Sequence, residues 1–304
     1  MEGLAATAIN RLSLLDAYGF LRRKPTKSQV TKVLILSSGP TNNGNEAIVA
    51  STMEGLARFI PQAEFISMGQ NEVNKPQVQI EELPARVAFG QQRNPFRLLV
   101  SLLYLTECAA IYGLRKLRIH IPVSRRSRLF DYYDCDLVVN SSGDILSGEG
   151  KFGLTSFLNI LYAALLGKPL VLYGESLGYF SNFIFHAFAK FVINRTSLIL
   201  LREELSKEYL DKEGITKPKI YVTAEPAFPI PAIPEERVHS ILPAEGIDKS
   251  KRPLIGVNPS GKVMHKEKAL DALAKVIDDL VEELNSTILM IPHVYTSASV
   301  IGSS

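Results

Sequence analysis

Residues 136–173 read DLVVNSSGDILSGEGKFGLTSFLNILYAALLGKPLVLY. Two short runs, residues 136–141 with Leu-Val-Val at its centre and residues 169–173 (Pro-Leu-Val-Leu-Tyr), bracket a helical pattern at 154–166. A strand that is apolar on both of its faces must be covered on both, which is the situation of a parallel sheet sandwiched between helices. The pattern continues on both sides. Upstream lie a strand at 32–38, a helix at 45–59 and a strand at 64–68; downstream come a helix at 179–193, a strand at 197–201, a helix at 203–213 and a strand at 219–222. Strands alternating with helices of this length predict an α/β fold, a doubly wound, Rossmann-like domain.

Five of the 17 prolines fall between residues 226 and 243. Proline fixes φ and removes a donor, so this stretch is expected to be a stiff, extended linker. Beyond it the alternation restarts with a strand at 254–257, a helix at 266–284 and a strand at 287–291. The expected organisation is an N-terminal amphipathic segment at 1–31, a first Rossmann-like domain at 32–225, the linker at 226–243 and a partial second Rossmann-like domain at 244–304. A single βαβ unit cannot cover both faces of a parallel sheet. The expectation is a shortened form of a longer parent, which this chain's truncation could leave inactive; the other reading is a tail that packs on another subunit.

The chain has 304 residues, 46% hydrophobic and 21% charged, a composition that excludes disorder, collagen-like repeats and coiled coil. Two cysteines, Cys108 and Cys135, are too few for a disulfide framework or a zinc site. The uncharged run at 152–167 is shorter than the roughly 20 residues of a membrane span, and nothing near Met1 reads as a signal peptide. A cytoplasmic protein is expected. The net charge of +3 conceals an asymmetry: between Arg93 and Arg128 lie eight basic residues and one acid, Glu107. These bases flank an apolar stretch from Leu98 to Tyr112 in what reads as an insertion at 93–128. Two readings stay open, a helix on an anionic membrane surface and a core helix followed by a solvated basic loop. No stacking platform accompanies the charge, so nucleic acid is not expected as a partner.

The candidate chemistry lies in loops that follow strands. Asn42, Gly44 and Asn45 open a helix after the first strand, where backbone N–H groups and the helix dipole favour an anion; Gly44 is expected to supply the turn and Asn45 the cap. This is neither a Walker A loop nor GxGxxG. Ser142 and Gly143 can approach a ligand closely, and Asp144 heads the same loop. Glu175 lies in a two-glycine break after the strand at 169–173, and Arg202 at the end of the next strand, where a cation opposes the helix dipole unless an anion is near. Past the linker, Ser260, Gly261 and Lys262 end one strand and His293 the last. His293 is the natural proton-transfer group near neutral pH. Loops at the carboxyl ends of α/β strands converge on a crevice. The residues read as a site for a small anionic ligand with two cations, one proton donor and no metal.

These motifs, in this order, resemble the polysaccharide pyruvyl transferase family. The matching pieces are N-x-G-N-E-A-I at 42–48, the D-L-V-V…G-D segment at 136–144, L-G-K-P-L-V-L-Y-G-E-S-L-G at 166–178, R-E-E-L-S at 202–206, T-A-E-P-A-F at 223–228, G-V-N-P-S-G at 256–261 and I-P-H at 291–293. Where the family reads G-G-G-D this chain has Ser141-Ser142-Gly143-Asp144, and where it reads D-P-A this chain has Glu225-Pro226-Ala227. The resemblance implies a two-domain fold similar to GT-B glycosyltransferases. It further implies pyruvyl transfer from phosphoenolpyruvate to two hydroxyls of a sugar, on a polysaccharide or lipid-linked saccharide, giving a ketal. Phosphoenolpyruvate is then donor substrate and no cofactor is needed. Arg202 and Lys262 would bind the donor, His293 would be the general acid, and Asp144 would orient or deprotonate the acceptor. The basic-apolar segment would face the membrane, placing the protein at its inner face. The rival readings are a nucleotide-sugar-dependent GT-B glycosyltransferase and a truncated, non-catalytic homologue.

Overall fold

A computed structural model of the chain describes residues 31–36, 43–68, 85–87, 97–119, 123–124, 127, 129–144, 146, 151–180, 182–248, 253–259 and 266–291. The chain divides into two compact units, whose main bodies are Asn45–Pro229 and Ile230–Ser304.

The first unit is built on a parallel sheet. Its strands are β1 (Thr31–Leu36), β2 (Ala63–Met68), β3 (Ala85–Val87), β4 (Leu137–Asn140), β5 (Leu170–Glu175), β6 (Leu198–Leu201) and β7 (Lys219–Val222), in the spatial order β3-β2-β1-β4-β5-β6-β7. The order reverses between β1 and β4, whose register pairs Val33 with Leu137 and Leu36 with Asn140. That is the switch point at which open α/β sheets bind ligands.

The apolar runs explain the layers. Leu34, Leu36, Val138, Leu170, Leu172, Ile199 and Leu201 belong to one buried cluster, and the alternate residues Val33, Ile35, Leu137, Val139, Val171, Leu198 and Leu200 to another. Successive side chains point to opposite faces, so a continuous apolar run fills both. Against the second cluster packs α1 (Asn43–Phe59), through Met53 and Leu56. Against the first pack α2 (Arg97–Lys116), α3 (Leu129–Asp134), α4 (Lys151–Leu165), α5 (Phe183–Ile193) and α6 (Glu204–Lys212). Phe157 of α4 is the centre of that layer, fully buried and edge-on to Phe180, Phe185 and Phe188.

Within the segment at 93–128, α2 lies between β3 and β4 in the chain and buries Cys108 and Ile111 in the core. Two readings of the sequence are corrected here. The helix expected at 179–193 starts only at Phe183, because Asn182 caps it by accepting from the backbone N–H of Phe185. The proline-rich stretch contains a helix, α7 (Glu235–Ala244). Pro234 precedes its first turn, where a missing N–H costs nothing, Glu235 and Glu236 favour the positive end of the dipole, and Pro243 falls in the last turn.

The second unit contains β8 (Leu254–Val257) paired in parallel with β9 (Thr287–Met290), joined by α8 (Glu267–Leu284). No residue of α8 is buried, although it is strongly amphipathic; Leu270 and Val281 stay exposed. Among the described residues no helix is long and apolar enough to cross a membrane. The N-terminal segment at 1–31 lies outside the described residues but for Thr31.

Candidate functional site

Polar residues at or just beyond the ends of four neighbouring strands, β4 to β7, meet. Asn140, the last residue of β4, donates from Nδ2 to Ser142 Oγ (2.9 Å) and to Glu175 Oε1 (2.7 Å). Ser142 donates to the same Oε1 from its backbone N–H (2.9 Å) and its hydroxyl (3.1 Å). Glu175 is completely buried, and burial pushes its carboxyl up to about 8, against the opposing pull of these donors and of Arg202. At neutral pH it is therefore mostly a neutral acid. With Oε1 accepting three hydrogen bonds, the proton belongs on Oε2, which has no partner within the protein.

Glu175 is not in a loop, as the sequence reading had it. It is the last residue of β5, paired with Leu201 across a register shift between Tyr173 and Glu175. The irregularity centres on Gly174, at φ +68°, where a Cβ would stand 2.2 Å from the ring of Pro226. Only glycine permits both the backbone conformation and the close approach. The contact seats the segment after β7 on the end of β5, and with it Glu225. Glu225 Oε2 accepts from Arg202 Nη1 at 2.8 Å, and Arg202 Nε donates to Ser176 Oγ at 2.6 Å. Arg202 thus sits at the end of β6 as expected, with a carboxylate already opposite its charge. The other oxygen, Glu225 Oε1, is buried without a partner. Hydrogen bonds from Ser206 and Ser176 hold the Glu203 carboxyl below its usual range.

Gly143 has φ +76° and lies close to Ile48 of α1 and to the Arg202 guanidinium; Asp144 beside it is exposed. Ser141 shares a 2.9 Å hydrogen bond with Thr52 of α1. The two serines that replace glycines in the family pattern are consumed within the protein, Ser141 by α1 and Ser142 by Glu175. Gly44 and Asn45 are corrected in one respect: α1 begins at Asn43, so they lie within its first turn instead of forming a turn and a cap. First-turn N–H groups lack helical partners, which is why glycine and asparagine are tolerated there. Burial raises the carboxyl of Glu46 in the same turn.

The structure therefore brings together Ser142, Gly143, Glu175 and Arg202, with Asp144 alongside. Asn42, Ser260, Gly261, Lys262 and His293 lie outside the described residues. Sequence reading missed Asn140, Ser176 and Glu225; the signal for Glu225 was its place in the T-A-E-P-A-F motif. No group of three or more His, Cys, Asp or Glu suited to a metal occurs among the described residues. Cys108 and Cys135 are buried, and burial pushes both thiols up to about 12. Thiolate chemistry at neutral pH is closed to them.

Solved structures share the architecture. A putative UDP-N-acetylglucosamine 2-epimerase from Listeria monocytogenes superposes with a TM-score of 0.53 at 12% identity, over 90% of this chain and 64% of its own. MnaA of S. aureus, in a co-structure with UDP, gives 0.51 at 13% identity, over 89% and 63%. These likenesses establish the fold, α/β with Rossmann-like, GT-B-like construction. The amylovoran biosynthesis protein AmsJ of Erwinia amylovora is 38% identical over 77 residues, 25% of this chain and 19% of that protein. The chain thus spans just under two thirds of those structures, and its match to the curated relative covers about a fifth of that protein. The family model for polysaccharide pyruvyl transferase matches residues 42–301, which include the whole Asn140–Glu175–Arg202 cluster. The chain belongs to the polysaccharide pyruvyl transferase family.

Proposed function

We infer that this transferase of polysaccharide biosynthesis moves the pyruvyl group of phosphoenolpyruvate onto two hydroxyls of a sugar, forming a ketal. The observation that carries the reading is a buried Glu175 carboxyl, held by Asn140 and Ser142, at the same carboxyl edge of β4–β6 as the Arg202 guanidinium, which is paired with Glu225. The reaction requires a cation for the donor's carboxylate or phosphate and an acid for its methylene carbon. A proton added to the methylene makes it a methyl and leaves an oxocarbenium-like carbon. The first sugar hydroxyl adds there and loses its proton, the C–O bond to phosphate breaks, and the second hydroxyl closes the ketal with loss of another proton. Inorganic phosphate is the second product.

In this reading Arg202 holds the donor's negative charge, in competition with Glu225. Glu175 fixes the loop around Ser142 and Gly143 and keeps a proton beside that charge. Adding a fixed negative charge there would weaken anion binding, so its neutral form is the productive one. Asp144 is exposed on the same loop, where it can orient or deprotonate the acceptor. On the family resemblance, His293 is proposed as the general acid and Lys262 as a second cation.

Thermal unfolding in the presence of phosphoenolpyruvate tests the reading. A ligand at 100 times its dissociation constant stabilises by about 2.7 kcal/mol. The expected result is a clear rise with phosphoenolpyruvate that Arg202→Ala abolishes. A rise with UDP- or GDP-sugars alone would overturn it in favour of the glycosyltransferase reading, which the shared architecture of the UDP-bound S. aureus structure keeps in view. In the full-length parent, His293→Ala is expected to abolish turnover while donor binding persists; unchanged turnover removes His293 from the mechanism.

A further inference from the structure

The helical layer over the sheet presents two outward faces that the core does not use. On α2, Cys108 and Ile111 point inward, whereas Leu99 (55% exposed), Leu102 (44%) and Leu103 (59%) face out. The outward side continues through Thr106, Ala109, Ala110 and Gly113, all exposed, with the Thr106 hydroxyl donating to the helix's own Leu103 carbonyl. Four turns therefore pass without a charge at the centre of that face; Glu107, the helix's single acid, lies to one side. On α5, Phe183 (81%) and Ile184 (77%) are exposed at the start of the helix and Phe191 near its end, and the helix has no acid. Both helices pack against α4 in the same layer of the first unit.

The charges repeat the same design on each helix. α2 ends in Arg115 and Lys116, followed by Arg118; α5 carries Lys190 in its last turn, followed closely by Arg195. In each case one cation lies on an exposed ring of its own helix: Lys116 Nζ is 4.9 Å from the Tyr112 centroid, and Arg195 Cζ is 3.3 Å from that of Phe191. An ammonium or guanidinium lying along apolar surface keeps positive charge at the level of the apolar side chains, as at a lipid headgroup boundary. A helix pair of this kind, apolar outward and basic at its carboxyl ends, matches an interface that is apolar below and anionic above.

We propose that the outward faces of α2 and α5 bind the surface of an anionic lipid bilayer. The charge pattern selects this occupant over a second copy of the chain, because two copies meeting there would bring Arg115, Lys116, Arg118, Lys190 and Arg195 of one against the same cations of the other, with Glu107 the single acid on either helix. Because the first turns of α2 and α5 follow the carboxyl ends of β3 and β5, the exposed leucines and Phe183 lie at the edge of the sheet that carries Glu175 and Arg202. A lipid-linked acceptor held in such a surface would reach that edge; this last step alone rests on the pyruvyl-transfer reading.

The test is flotation of the full chain with phosphatidylcholine vesicles, with and without about a third phosphatidylglycerol. The expected result is partition onto the anionic vesicles only. It should fall by more than about tenfold in Leu99→Ser/Leu102→Ser/Leu103→Ser and in Phe183→Ser/Ile184→Ser, and by several-fold in Lys116→Ala/Arg195→Ala. Absence of partition, or partition unchanged in the leucine variant, overturns the proposal. So does a wild-type dimer in solution that the leucine substitutions convert to monomer while vesicle binding persists. The phosphoenolpyruvate-induced thermal shift, measured without lipid, should be the same in the leucine variant as in the wild type. Loss of donor binding in the wild type would thus count against the pyruvyl-transfer reading and leave the membrane surface standing.

Discussion

The two units use the same βαβ element and reach opposite packing outcomes. In the first, β4–α4–β5 is enclosed by β1 on one side and β6 on the other, with Phe157, Ile160 and Leu172 free of solvent. In the second, β8–α8–β9 has the better amphipathic helix, yet α8 buries nothing and Met290 remains half exposed. Amphipathicity states only that a face seeks cover. Whether it is covered depends on neighbours, and two parallel strands offer too few.

Core truncation should expose this contrast most strongly. Phe157→Ala is expected to cost about 3–5 kcal/mol, since three aromatic neighbours cannot collapse into the void; denaturant unfolding followed by far-UV circular dichroism measures it. Gly174→Ala should cost at least about 2 kcal/mol, from the left-handed backbone and the Pro226 contact together. Part of that loss should be recovered when Pro226→Ala is added, and full additivity would deny the contact. Leu270→Ala on α8 should cost about 1 kcal/mol or less. A cost there like that of Phe157→Ala would erase the distinction between the units.

Between these in size comes a pH effect confined to the first unit. Glu175 holds its proton up to about pH 8 when folded, whereas an unfolded glutamate loses it near the ordinary value of 4.5. Across that window the native state binds more protons than the unfolded chain, so stability is highest at the acid end and falls as pH rises toward 8. Glu175→Gln should flatten that slope, by an amount on the order of a few kcal/mol across the window. An unchanged slope would mean that Glu175 is ionised and its charge matched.

What could be read from sequence follows the same division. The parallel sheet was legible because runs such as Leu-Val-Leu-Tyr at 170–173 can be satisfied only by cover on both faces. The helix α7 was hidden by its flanking prolines, and β3 by being only three residues long. At the site, strand ends pointed to Arg202 and the serine loop. The contacts that define their chemistry could not be read, because Glu175 meets Asn140 across 35 positions and Arg202 meets Glu225 across 23. Strand order brings these pairs together, and no local pattern encodes strand order.

At the opposite edge of the first unit, Lys168 donates to the carbonyls of Tyr133 (2.7 Å) and Cys135 (2.6 Å) and lies over the Tyr133 ring. An amine so engaged is a poor nucleophile toward acylating reagents, unlike the exposed lysines Lys212 and Lys217. Lys168 therefore serves as a built-in chemical reporter: its acylation should lag behind theirs while the sheet is intact and catch up when β4 and β5 separate.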